Sequence, residues 1–270
     1  MSFDPRGLRP LTLTLIPANA SLDAYTAVID KPTNNPVTFW TLAMNSFLLA
    51  TSVSVLSVLI GVFAAYAFAR FKFSGRQFLM LAIIVVLMLP SVASLAPLYV
   101  LLNRVQFKMD ELNLIFFTIK NVSFNLRNSL IGVGLAMISG ALPFAIWNLK
   151  GYIDTIPKDL EEAAMIDGAS PNQTFFLIML PLAVPALAVT AFLGFLTGWT
   201  EFAISWQFLT NPDNFTLAMA LWNMTGQYAD NTPWSKFSAM AILVALPVAA
   251  VYLAPQKYIV GGLTVGGVKG

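Results

Sequence analysis

Residues 150–185 read KGYIDTIPKDLEEAAMIDGASPNQTFFLIMLPLAVP, a charged turn followed by an uncharged run. Pro157 suits the first turn of a helix, and Asp159, Glu161 and Glu162 favour the positive N-terminal end of that helix. Ile156, Leu160, Ala163 and Ala164 fall on one helical face. Gly168 supplies a left-handed stop. Ser170, Pro171 and Gln173 then make a second start signal of the capping-box type. The stretch therefore predicts a short amphipathic helix, a sharp glycine turn and a second helix that runs into apolar surroundings. Taken alone, it also fits an ordinary surface helix in a loop.

The rest of the chain identifies those surroundings. Of 270 residues, 57% are apolar and 10% are charged, where an ordinary soluble domain carries about 25% charge. Mean hydropathy is +0.74. No charge occurs between Pro32 and Ala69, Gln77 and Leu102, Asn128 and Leu149, Gly168 and Thr200, or Phe237 and Gln256. A spanning helix needs about 20 mostly apolar residues. Five spans are predicted, at 40–69, 77–102, 128–149, 174–200 and 237–256. With no His and no Cys, disulfides, zinc sites, Cys nucleophiles and His-based dyads are excluded. The net charge of +2 is too small to suggest nucleic acid as a partner. The chain has no P-loop of its own.

Orientation follows from Lys and Arg in short loops. The loop after the first span holds Arg70, Lys72 and Arg76, which places it in the cytoplasm. Alternation puts 150–173 and the C-terminus inside, and 1–38, 103–127 and 201–236 outside. The insert 103–127 mixes charged and apolar residues, which fits a small folded cap, an irregular extension or a solvated loop. The N-terminus then lies outside with no signal peptide to deliver it, so either the first helix inserts unaided or, the reading preferred, a span precedes Met1.

Glu162-Ala163-Ala164, Gly168, Ile178, Leu180 and Pro181 fit the pattern EAA-x3-G-x9-I-x-LP at every specified position. The chain thereby resembles the permeases of ABC importers. The stretches AAYAFARFKFSGR at 64–76, KGYIDTIPKDLEEAAMIDG at 150–168 and the tail GGLTVGGVKG at 261–270 are similar to carbohydrate permeases, most of all those of maltose/maltodextrin importers. The resemblance covers about residues 17–270. It implies an all-α polytopic fold of the type I importer class, with about five spans where the family usually has six. It divides the chain into an external segment 1–38, a permease domain 39–260 and a cytoplasmic tail 261–270.

The resemblance also implies roles. The loop around Leu160, Glu162, Ala163, Ala164, Asp167, Gly168 and Pro181 is the coupling helix, which docks on an ATP-hydrolysing subunit. The tail, with Gly266, Gly267 and Lys269, contacts the same ATPase pair. Implied partners are a second permease, two ATP-binding subunits, an external sugar-binding protein and membrane lipid. The chain itself performs no catalysis and holds no cofactor; ATP and Mg belong to the partner. The substrate implied is maltose or maltodextrin, with another oligosaccharide or a polyol phosphate as the alternative. A lone secondary transporter is disfavoured, because such proteins place ionisable residues inside their spans and the five uncharged runs contain none.

Other residues stand out less. Glu201 lies at the outer end of the fourth span beside Trp199 and Trp206; it is a sugar-path candidate or a group reaching interfacial water between aromatic anchors. The loop WNMTGQYADNTPW at 222–234 carries residue types that stack on and hydrogen-bond to sugars. By resemblance, Gln227 and Tyr228 enter the binding protein; the other reading is an aromatic belt at the interface. Gly194 and Gly198 form a G-x-x-x-G pair suited to close helix packing. Pro90, Pro97, Pro181 and Pro185 are expected to kink helices.

Overall fold

Four of the five uncharged runs fold into helices long and apolar enough to cross a membrane. The structure is a computed structural model, which describes residues 1–7, 19–114, 117–225 and 232–253. Helix α1 (Asp23–Asp30) precedes α2 (Phe39–Arg70), the first span. The third is α5 (Leu130–Thr155). The fourth begins at Pro171 with the short α7 (Pro171–Gln173), passes through a π-helical segment (Thr174–Met179) and continues as α8 (Leu180–Trp199). The last is α11 (Trp234–Leu253). Between α8 and α11 lie α9 (Ala203–Phe208) and α10 (Leu217–Asn223).

The expected span 77–102 is not one helix. It divides into α3 (Arg76–Met88), a 3-10 turn (Ser91–Ser94) and α4 (Leu95–Arg104). Pro90 is the cause. It lacks the N–H that would continue the ladder, and its ring drives the preceding residue out of helical conformation. Leu89 accordingly sits at φ −72°, ψ 135°. Pro97, by contrast, falls in the first turn of α4, where proline is tolerated. The third span also runs beyond its expected end at 149. Lys150 and Asp154 pair at 2.5 Å one turn apart, so the charges support the helix and the loop shortens.

The insert 103–127 contains an antiparallel hairpin of β1 (Gln106–Leu114) and β2 (Phe117–Asn125), in register from Gln106↔Asn125 to Leu114↔Phe117. The helical fold thus carries one small β element among the described residues.

The contacts form two units. The first comprises Met1–Ala50, Val92–Ala136 and Gly198–Ala249. Here Asn45 of α2 donates to the carbonyls of Asp213 (2.6 Å) and Phe215 (2.9 Å), and Ser46 Oγ accepts from the amide of Leu217 at 2.8 Å. Asn128 Oδ1 accepts from the amides of Thr210 and Asn211. These polar clamps fix the chain between α9 and α10. At Ala50, α8 approaches α2 through Gly198: a Cβ there would fall 2.5 Å from the Ala50 Cα.

The second unit comprises Thr51–Ser91, Met137–Thr197 and the chain from Ala250. Its core joins Val62, Ala65 and Ala69 of α2, Leu149 and Ile153 of α5 with Ile156 just beyond it, Phe175 and Met179 of the π segment, and Ala186 of α8. Phe175 packs on Phe63 and Tyr66 with ring centroids 5.3 and 4.8 Å apart. Ser54 Oγ donates to the Ala191 carbonyl at 2.6 Å, and Asn148 donates to Thr190 Oγ1 at 2.9 Å. Such bonds give buried polar groups partners where water is scarce.

Candidate functional site

The predicted coupling segment forms α6 (Asp159–Ile166). Asp159, Glu161 and Glu162 stand in its first turn, where helix polarity favours acids. The chain leaves α6 through Asp167 and Gly168, whose φ of +87° is a left-handed conformation that glycine adopts without strain. The capping box forms as the sequence predicts. Ser170 Oγ accepts from the Gln173 amide at 3.3 Å, and Gln173 Oε1 accepts from the Ser170 amide at 2.8 Å.

An eight-residue helix has little stability of its own, so its anchors matter. Glu161 and Ala164 are its buried residues. The Glu161 side chain pairs with Arg70 at the end of α2, and Tyr66 Oη donates to Glu161 Oε2 at 3.0 Å. Arg70 Nη2 also donates to the Ile156 carbonyl at 2.9 Å. Of the four residues that spacing puts on one face, Ile156 and Ala164 are buried while Leu160 and Ala163 are exposed, and the ion pair draws Glu161 inward beside Ala164.

What α6 leaves exposed is apolar and acidic. Ile166 is 86% exposed and Leu160 44%. Met165, Glu162, Ala163 and Asp167 are exposed beside them. Large apolar side chains left open on a short polar helix are candidates to meet a partner. Pro181 lies elsewhere, exposed near the start of α8 immediately after the π segment.

The remaining candidates separate. Both carboxylate oxygens of Glu201 cap α9: Oε1 accepts from the Ile204 amide at 2.5 Å, and Oε2 from the Ser205 amide at 2.9 Å and the Ser205 hydroxyl at 2.5 Å. Trp199 is buried, and its Nε1 donates to the Val244 carbonyl of α11 at 3.1 Å. Trp206 and Trp222 stay exposed around Phe202, with centroids 6.2 and 4.9 Å from its ring. Gln227, Tyr228, Gly266, Gly267 and Lys269 lie outside the described residues. Sequence reasoning missed Arg70 and Tyr66 as members of the site and passed over Glu161 in favour of its neighbour. The available signal was a lone arginine closing a long apolar run.

Residues 57–263, which include α6, match the family described as binding-protein-dependent transport system inner membrane components. The chain belongs to this family. This permease is 36% identical over 269 residues to the maltose/maltodextrin transport system permease protein MalG of Vibrio vulnificus strain YJ016, covering 96% of this chain and 85% of that protein. It is 37% identical over 237 residues to the protein of the same name from Escherichia coli K12, covering 87% and 73%. Among solved structures, the permease superposes on a chain of a bacterial ABC transporter that imports the acidic polysaccharide alginate, with a TM-score of 0.71, 20% identity and coverage of 96% and 87%. A chain of the MetNI methionine ABC transporter gives a TM-score of 0.57 at 16% identity. These two likenesses show a shared ABC-permease fold. The permease is a multi-pass inner-membrane transport component.

Proposed function

We propose that this permease moves maltose or maltodextrin from an external binding protein to the cytoplasm. It would do so with a second permease and two ATP-binding subunits. The observation that carries the reading is α6 itself: a short helix that exposes Leu160, Glu162, Met165 and Ile166 while its other face is locked to the spans. The relatives' names supply the sugar.

In this reading α6 lies in the cytoplasm, on the same side as Arg70, Lys72 and Arg76, as positive loops prefer. A cleft on the ATP-binding subunit receives its outer face, and Glu162 meets a basic group there. ATP and Mg stay on that subunit, and hydrolysis occurs there. Closure of the two ATP-binding subunits displaces α6 as a rigid body, the pathway opens outward, and the docked protein releases sugar into it. Gly266, Gly267 and Lys269 in the tail add a second contact to the ATP-binding pair. Gln227 and Tyr228, in the segment before α11, reach toward the binding protein.

Uptake of labelled maltotriose by cells carrying or lacking this permease tests the assignment. Uptake should need the permease, and unlabelled maltodextrins should compete. Competition by a polyol phosphate or an unrelated oligosaccharide, with none by maltodextrins, would replace the substrate but keep the mechanism.

A further inference from the structure

α6 meets the spans at a joint made by one guanidinium. The side chains of Arg70 and Glu161 are 7% and 8% exposed. Arg70 Nε donates to Glu161 Oε1, its Nη2 donates to the Ile156 carbonyl, and Tyr66 Oη donates to Glu161 Oε2. The planar guanidinium presents its donors in a rigid fork, so a single side chain fixes three pieces of chain. These are the last residue of α2, the carbonyl just past the end of α5, and the first turn of α6. That carbonyl follows a helix C-terminus, where carbonyls lack intrahelical partners.

Beyond the backbone bonds that lead into its turn, the buried apolar contact of α6 is of a different kind. Ala164 packs by apolar contact, which is non-directional and tolerates sliding. The ion pair does not slide. Separating it without water would leave a buried charge with no partner, which is strongly unfavourable. A displacement of α6 therefore either carries the end of α2 with it or breaks the joint.

We infer that Arg70, Glu161 and Tyr66 are positioning residues that transmit the displacement of α6 to α2. The inference rests on the proposed function. None of the three faces the docking surface: Glu162, Leu160 and Ile166 make that surface, and the joint lies behind it. Docking and transmission are thus assigned to different residues, and loss of the joint should leave ATP-binding subunits attached but working without result.

The test uses the complete transporter in proteoliposomes, with ATP hydrolysis and labelled maltotriose uptake measured in the same preparation. The quantity read is sugar moved per ATP. Glu161→Gln should lower it about tenfold while hydrolysis stays within about twofold of the unmodified complex, a fold-change in the usual range for coupling between sites. Arg70→Lys keeps the charge but loses the fork and should fall between the two. Tyr66→Phe removes one hydrogen bond and keeps the ring packing, so it should assemble normally and give a smaller drop. A normal ratio in Glu161→Gln and Tyr66→Phe would overturn the inference. So would hydrolysis and uptake falling in proportion, or failed assembly of Glu161→Gln with a normal ratio in Tyr66→Phe; both would make the joint purely structural. If the unmodified complex ignores maltodextrins, only the sugar assignment fails, and the ratio is then read with the substrate that stimulates hydrolysis.

Discussion

Gly198 is a residue at which α8 packs on the backbone of α2. A Cβ there would stand 2.5 Å from the Ala50 Cα, whereas one at Gly194 would stand 3.1 Å from the Ser54 Cα. Gly198→Ala is therefore expected to destabilise the purified permease by about 1–3 kcal/mol, the usual cost of overpacking, and Gly194→Ala by less. Thermal unfolding in detergent ranks the two, and equal midpoints would refute the packing argument. Ser57 presents the opposite case. Its hydroxyl is buried with no hydrogen-bond partner among the described residues, so Ser57→Ala should leave stability unchanged or raise it by up to about 1 kcal/mol. The pairing of the two glycines is legible in sequence, because small residues at i and i+4 share a helix face. The role of Glu161 is not, because it is set by Arg70, 91 residues earlier in the chain.

Among the elements, those governed by local rules could be read directly. The glycine stop, the capping box and the acidic first turn of α6 each depend on residues within one turn of one another. Ser170→Ala should cost about 1 kcal/mol locally, and amide hydrogen exchange at Gln173 should quicken about fivefold without change in the core of α8. The facing of α6 was not legible, since spacing identifies an apolar stripe but not the ion pair that decides which side is buried. The break at Pro90 was visible as a proline, yet the uncharged run around it is long enough to pass for one span. The hairpin 106–125 escaped notice because charged and apolar residues interleave there, and only cross-strand pairing defines the strands. A further prediction concerns the outer face of α6. Glu162→Lys should uncouple hydrolysis from uptake while the spans stay folded, and unchanged uptake would remove Glu162 from the docking role.

For the whole molecule, the sequence has no Cys, so single introduced thiols report topology without background. Ile166→Cys should react with a membrane-impermeant reagent only from the cytoplasmic side and be shielded when ATP-binding subunits are attached. Trp206→Cys should react only from the opposite side. Labelling of both from one side would refute the orientation. The 32 residues of α2 have a further consequence. At 1.5 Å per residue the helix is about 48 Å long, against a hydrocarbon layer of about 30 Å. The excess must be absorbed by leaning or by projection beyond the headgroups. Arg70 terminates that excess, so the height of the joint above the lipid surface depends on how far α2 leans. Acyl-chain length thereby becomes a control on the transporter: lipids that thicken the bilayer stand α2 upright and reset the position from which every stroke of α6 begins.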